Sequence, residues 1–454
     1  MPQRWAHRMA GHRLATVRVV GTVICIAALA ACSGPAASPS GTTGSASGGG
    51  TSGGSTAPST GSGDGVVSIR MVSVGAPGNP SVGVVTTFVA GQGGFVQMPT
   101  GAEVYASCGD APTGPPECYT VGGVDYPYLI GETEVTVGQY TAFLNTADPE
   151  GSNLHGLYQD FMNPQVWPKY GSVAYESTAA SGKHYSVAYP EWEDKPFGFA
   201  NFLRAARFDN SLYNGKVEST SQSASGGFTV TTYQVRLSPN TETGMYDMSD
   251  PATTRRSGNG FVIPSDNEWL KAAYYDPKGG GTHSYWLYPT GPSSAPAASK
   301  LDPRTGDVIN SSDQPISTYS PQGPKAPAGT YPTWCPSQVP VTTCNSVNPG
   351  NLPPGLTPFV FQGNVSTVGQ TGTRSPWGTL DQGGNVVEWQ DTIVPSFQGY
   401  NFQRVWRRMH GGVANAPAYQ MLINALGFQP QDQVLLDGAY PWFGIRVGAI
   451  GNVG

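Results

Sequence analysis

The sequence has few charged residues and no apolar run long enough to cross a membrane. Charged residues make up 12% of its 454 residues, and acids outnumber bases 30 to 24. A weakly charged, net acidic chain lacks the basic surface that nucleic-acid binding requires, so we exclude that class of function. The apolar run Val19–Leu29 is shorter than the ~20 residues of a membrane-spanning helix. Glycine and proline are abundant instead, with 61 and 40 residues, which is typical of a loop-rich domain.

The N-terminus has the layout of an export signal. Four arginines and no acid accompany the apolar run, which ends in Leu29-Ala30-Ala31-Cys32. Small residues before a cysteine at this place resemble a bacterial lipobox, in which the cysteine is diacylated and becomes the first mature residue. We therefore interpret residues 1–31 as a lipoprotein signal peptide and Cys32 as the lipidated residue. An ordinary signal peptide with a chance cysteine is the alternative.

A low-complexity segment follows the lipobox. Residues 33–64 are almost only Ser, Gly, Thr, Ala and Pro, and they offer no apolar side chains for a core. We interpret residues 32–64 as the lipidated cysteine with a flexible tether, and residues 65–454 as one compact domain of mixed α and β structure. The expected location is the cell surface or the periplasmic side of the membrane, where the lipid serves as the anchor.

Cysteine is scarce, with six residues in the chain. Besides Cys25 in the signal and Cys32 at its end, four remain: Cys108, Cys118, Cys335 and Cys344. An even number in an exported chain predicts disulfides. Closeness in sequence favours joining the first two to each other and the last two to each other, and the other two connectivities stay open. A metal site is disfavoured, because the cysteines have no CxxC spacing and no neighbouring histidine.

Periodicity and capping signals predict three helices and several short strands. Thr136 with Gln139, and Ser265 with Glu268, form capping boxes before apolar-periodic segments. A further helix is predicted near residues 200–212. The predicted strands are residues 68–75, 126–134, 386–389, 405–409 and 444–447.

Six short motifs occur in a fixed order along the domain. They are Ile130–Thr136 with Gln139–Asn145, Asp194–Pro196 with Ala206–Asn210, Ile263–Ala273, Gly378–Trp389, Gly411–Gly412, and Phe443–Val447. The ordered set resembles the formylglycine-generating-enzyme, or sulfatase-modifying factor, family. The resemblance implies an α+β fold of the C-type-lectin-like kind, loop-rich and with little regular structure.

The resemblance also implies a cation site. Relatives hold calcium in the segment that surrounds Glu388 here. The matching positions are Asp381 and Glu388 as carboxylate ligands, and Gly384 and Val386 as carbonyl ligands. These are oxygen donors of the kind that calcium prefers. We therefore expect a structural calcium ion in this loop. The alternative for Glu388 is a plain surface carboxylate, because it alternates with Val387 and Trp389 on a strand.

The sequence differs from the family motif at the residues that perform the family's chemistry. Its enzymes oxidise a sulfatase cysteine with copper held by two cysteines, and the corresponding positions here are Ala416 and Met421. Copper(I) requires soft, closely placed thiolates, so copper is not expected. The same pocket also differs from the family's motif at Val387, His410, Val413 and Ala414.

The iron chemistry of related branches is not expected either. In those branches, a separate domain supplies the histidines that bind iron. The histidines at positions 155, 184, 283 and 410 of this sequence lie far apart along the chain. His410 and Glu388 are the remaining candidates for a catalytic role. A single histidine at a strand end is more often structural.

Two hypotheses follow. One is a binding or scaffold module at the cell surface, with an unknown protein or small-molecule ligand. The other is an oxidoreductase-type enzyme that acts on a protein or small-molecule thiol through an altered pocket. Copper or iron bound at one per chain, together with oxygen consumption, would favour the enzyme.

Overall fold

The computed structural model describes residues 64–86, 117–279, 284–321, 334–340, 364–394, 404–432 and 441–453, apart from the side chains of residues 86, 117 and 118. The helices in these ranges are α1 (Val137–Ala147), α2 (Phe202–Tyr213) and α3 (Asp266–Tyr274). The strands are β1 (Val66–Val74), β2 (Val82–Thr86), β3 (Glu117–Val121), β4 (Tyr128–Gly131), β5 (Val173–Tyr175), β6 (Tyr185–Val187), β7 (Lys216–Ser225), β8 (Phe228–Arg236), β9 (Gly260–Val262), β10 (Ala297–Ala298), β11 (Ile316–Ser317), β12 (Val387–Ile393), β13 (Trp406–His410), β14 (Gly427–Pro430), β15 (Phe443–Gly444) and β16 (Gly448–Ile450).

Both predicted capping boxes are confirmed. At the start of α1, the Thr136 hydroxyl accepts the Gln139 N–H at 3.2 Å, and the Gln139 side chain accepts the Thr136 N–H at 2.9 Å. Ser265 and Glu268 make the same reciprocal pair before α3. Each box satisfies two N–H groups that the first turn of a helix leaves without partners, which is why these helices begin where the sequence predicted.

A six-stranded sheet forms one side of the domain, in the order β7-β8-β1-β4-β16-β9. Strand β1 pairs antiparallel with both β4 and β8. The predicted strands at 68–75 and 126–134 are therefore confirmed as the centre of this sheet. The hairpin of β7 and β8 was not predicted, and it places β7 at the edge.

A four-stranded sheet, in the order β14-β13-β12-β15, carries the family motifs near the C-terminus. Strand β15 runs parallel to β12, and β13 runs antiparallel to it. The predicted strand at 444–447 is wrong in its position. The chain leaves this sheet at Gly444 and enters the six-stranded sheet at Gly448, so the residues between them cross from one sheet to the other.

The main apolar core lies between the six-stranded sheet and helices α1 and α2. Tyr140, Phe143 and Leu144 of α1 are fully buried, as their spacing predicted. Tyr140 stacks on Phe197 with ring centroids 3.6 Å apart. A smaller core joins α3 to the β2–β3 hairpin. Within the described ranges, no helix combines the length and apolarity needed to span a bilayer.

Candidate functional site

Two strands and one helix bring together the strongest polar candidates. Glu388 on β12 lies directly opposite His410 on β13. Trp269 of α3 stacks on the His410 ring, with centroids 5.3 Å apart and an interplanar angle of 18°. The Trp269 indole N–H donates to the Glu388 carboxylate at 2.5 Å. All three side chains are buried. The structure therefore places both candidate catalytic residues, Glu388 and His410, in contact with the same tryptophan.

His410 has a carboxylate partner that sequence reasoning missed. Its Nε2 lies 2.6 Å from Oδ1 of Asp266, the first residue of α3. Burial opposes ionisation of Asp266, but His410 beside it holds the pKa of this carboxyl below its ordinary value. A histidine bound to an aspartate has the composition of a general-base pair, yet His410 is only 1% exposed. In this structure the pair is closed off from solvent, and a catalytic role for His410 stays a prediction.

Glu388 is held by Arg446, which lies between β15 and β16. Arg446 Nε and Nη2 donate to the two Glu388 oxygens at 2.8 and 2.7 Å. The same guanidinium donates to the carbonyls of Gly131 and Leu380, both at 2.9 Å. Burial would lower the pKa of Arg446, but the Glu388 carboxylate keeps it above its ordinary value. Glu388 is therefore a buried ion-pair partner and not a surface carboxylate.

Two further carboxylates lie beside this ion pair. Burial raises the pKa of Glu134 well above its ordinary value, and neighbouring Asp381 adds to the shift. The Glu134 oxygens accept no hydrogen bond among the described residues, and Arg446 Nη2 is 4.0 Å away. The pKa of Asp381 is also raised by burial. The favoured state for Glu134 is the neutral acid, because the Arg446 guanidinium is already paired with Glu388.

The loop from Asp381 to Val386 has a strained, tightly packed backbone. Asp381 and Asn385 are both in the left-handed region, each with φ of 58°, which is uncommon for residues other than glycine. At Gly384, a Cβ would lie 2.3 Å from the Thr318 carbonyl oxygen, so only glycine fits. The Asn385 side chain accepts the Ser366 N–H at 2.8 Å, which helps to fix this conformation.

The two carboxylates predicted to bind calcium already have partners in this structure. Asp381 accepts hydrogen bonds from the Gly369 N–H and the Thr371 hydroxyl, while both Glu388 oxygens are bound by Arg446. The positive charge beside Glu388 is thus a guanidinium. Over the described ranges, no group of three or more His, Cys, Asp or Glu side chains is arranged to hold a metal. The calcium site of Asp381, Gly384, Val386 and Glu388 stays a prediction, with both of its carboxylates already bound to partners.

The positions that differ from the family motif are all packed as core. They are Val387, His410, Val413, Ala414, Ala416 and Met421, and none is more than 9% exposed. Ala416 and Met421 occupy the two copper-cysteine positions. The Met421 sulfur lies 3.4 Å from the Ser317 hydroxyl oxygen. A methyl group and one thioether provide no thiolate, so these residues do not fit copper.

A second buried polar cluster links α2 to the four-stranded sheet. Arg407 on β13 donates to Asp391 at 2.8 Å, and its guanidinium lies 3.9 Å from the centroid of the Phe202 ring. Burial raises the pKa of Asp209 on α2 well above its ordinary value, with Asp391 adding to the shift. No motif of the sequence indicated this cluster, because its members come from elements far apart in the chain.

The predicted modification sites fall mostly outside the described residues. Cys32, Cys108 and Cys344 lie outside them, and Cys118 is on β3 with its side chain not described. Cys335 is 5% exposed, in a small cluster with Val339. The lipidation and both disulfide pairings therefore stay predictions.

The sequence profile of the sulfatase-modifying factor enzyme 1-like domain matches residues 78–437. The chain belongs to this family. Its fold is accordingly the loop-rich α+β fold of the formylglycine-generating enzymes, with three helices and many short strands in the described ranges.

Three solved structures are similar to this family member. CarF is 14% identical, covering 85% of this chain and 99% of its own, with a TM-score of 0.35. Treponema denticola variable protein 1 is 15% identical, covering 84% and 94%, with a TM-score of 0.36. PvdO from Pseudomonas aeruginosa is 11% identical, covering 84% and 93%, with a TM-score of 0.35. No curated protein matches the chain.

Proposed function

We propose that this protein is an exported lipoprotein, anchored through lipid on Cys32, whose domain is a binding or scaffold module at the cell surface. The observation that carries the proposal is the packing of the six motif-breaking positions as core. A reaction centre needs space for a substrate beside its reactive groups. Here those positions hold apolar side chains and a buried histidine bound to a carboxylate.

The buried ion pair supports the same proposal. Glu388 and Arg446 each have a side-chain exposure of 0%, and Arg446 uses its N–H groups on Glu388 and on two backbone carbonyls. Such a pair fixes the position of three chain segments relative to one another. Its role is therefore structural, and an unknown protein or small molecule would bind elsewhere on the domain.

The test is incubation of the purified chain with a peptide containing the Cys-x-Pro-x-Arg core, with copper and oxygen. We expect no conversion of the peptide cysteine to formylglycine, as measured by mass spectrometry, and no oxygen consumption. Metal analysis of the same preparation should find less than one copper or iron per chain. Peptide conversion, or stoichiometric metal with oxygen consumption, would instead support an oxidoreductase with a remodelled pocket.

A further inference from the structure

A small cavity lies where β1, the end of β4 and the start of α1 meet. It is partly open to solvent and has room for about one water molecule. Its lining includes the side chains of four polar residues, Arg70, Thr133, Glu134 and Gln139. A cavity of this size with a polar lining is of the kind that binds a single small polar molecule.

Glu134 is the residue of this cavity whose hydrogen-bonding capacity is unused. It is only 2% exposed, and its two carboxyl oxygens have no hydrogen-bond partner among the described residues. Nη2 of Arg446 lies 4.0 Å from Oε2, which is beyond hydrogen-bond distance. A buried carboxyl group without partners lowers stability, whether it is neutral or ionised. A ligand in the cavity would satisfy it.

Arg70 lines the same cavity and has hydrogen-bond donors that are not in use. Its Nε donates to Glu132 at 2.7 Å, and the other two guanidinium nitrogens have no partner in the part of the chain that the structure describes. Gln139, by contrast, already donates its amide N–H to the Ser68 carbonyl at 2.6 Å. A ligand that contacts both Arg70 and Glu134 would therefore meet donors on one side and a carboxyl group on the other.

The charges around the cavity favour a neutral ligand. A cation would meet the positive charges of Arg70 and Arg446, and an anion would meet Asp381, which interacts with the charge of Glu134. Water both donates and accepts hydrogen bonds, so it can serve Glu134 as a neutral acid and as a carboxylate. We propose that the cavity binds one ordered water molecule, which bridges the Glu134 carboxyl group and the Arg70 guanidinium.

This water joins two segments that are separate in the chain. Arg70 belongs to β1, and Glu134 lies between β4 and α1. A bridging water is nearly as favourable in enthalpy as a direct hydrogen bond. The water is thus a structural ligand, which holds the segment before α1 against the central strand of the six-stranded sheet.

The test is a crystal structure of the purified full chain and of two variants at position 134. In the unmodified protein we expect electron density within about 3.2 Å of a Glu134 carboxyl oxygen and of an Arg70 nitrogen. Glu134→Gln should keep this density, because its amide can still bond a water. Glu134→Met has a similar length but only a weakly accepting sulfur, so it should lose the density.

Sodium requires its own control, because a sodium ion and a water molecule have the same number of electrons. The density should persist in crystals grown with choline chloride in place of sodium chloride. The melting temperature in solution should be equal in the two salts at the same ionic strength.

Three results would overturn the proposal. One is a cavity without density in the unmodified protein, and another is density that Glu134→Met leaves unchanged. The third is a melting temperature that rises with sodium in the unmodified protein and not in Glu134→Met, since the ligand would then be a sodium ion.

Discussion

Replacing Glu388 by Gln should destabilise the protein far more than the loss of an exposed ion pair would. The substitution keeps the shape of the side chain and removes its charge. Arg446 then remains fully buried, beside a neutral amide that offers one acceptor oxygen in place of two. Its hydrogen bonds to the Gly131 and Leu380 carbonyls persist, but they do not neutralise the charge.

The expected loss follows from the burial of both partners. Removing the charge of one partner of a buried ion pair lowers the free energy of unfolding by about 3–5 kcal/mol, because the other charge stays uncompensated in the interior. Glu134, 4.0 Å from Arg446, reduces this cost if it ionises, so the lower end, about 3 kcal/mol, is expected. The double variant Glu388→Met/Arg446→Met removes both charges and should lose less than the single variant does.

Urea unfolding followed by tryptophan fluorescence measures the loss, since Trp269 contacts Glu388 directly. The matched control is Glu218→Gln on β7, which breaks a pair with Arg236 whose side chain is 46% exposed. Because solvent screens this pair, the control should lose far less stability than Glu388→Gln does. A Glu388→Gln variant as stable as the control would refute the reasoning, because Arg446 would then be solvated or neutralised by another group.

Four further outcomes are expected. Because burial raises the pKa of Glu134 above its ordinary 4.5, the folded state keeps a proton that the unfolded chain releases above that value. The contribution of Glu134 to the free energy of unfolding is therefore complete at low pH and declines as the pH rises toward the folded-state pKa. The variant Glu134→Gln should show a smaller decline when unfolding is measured over a range of pH. Millimolar calcium should leave the melting temperature unchanged while Arg446 occupies both Glu388 oxygens; a rise with calcium but not magnesium, abolished by Glu388→Ala, would establish the predicted calcium site. Cys32→Ser should move the protein from the membrane to the soluble fraction, and full retention on the membrane would contradict lipidation. Peptide mapping without reduction should join Cys108 to Cys118 and Cys335 to Cys344, and free thiols there would exclude both disulfides.

Several elements of the fold were predictable because their signals are local. The capping boxes at Thr136 and Ser265 define helix starts within four residues of sequence, so α1 and α3 begin as predicted. The β7–β8 hairpin also carried a local signal, the Gly226-Gly227 turn between two strand-like runs, although it was not predicted. By contrast, the error at 444–447 arose because a short apolar run does not reveal that its two ends belong to different sheets.

The sequence by itself determined the family, through an ordered set of motifs, and it determined the lack of thiolates at Ala416 and Met421. Only the tertiary structure decided the environment of the site. Glu388 and Arg446 are 58 residues apart, and His410 and Asp266 are 144 apart. No spacing rule along the chain connects such positions. From the alternation along β12, Glu388 could be interpreted as a calcium ligand or as a surface carboxylate. The fold places the Arg446 guanidinium beside it, which makes Glu388 a buried ion-pair partner.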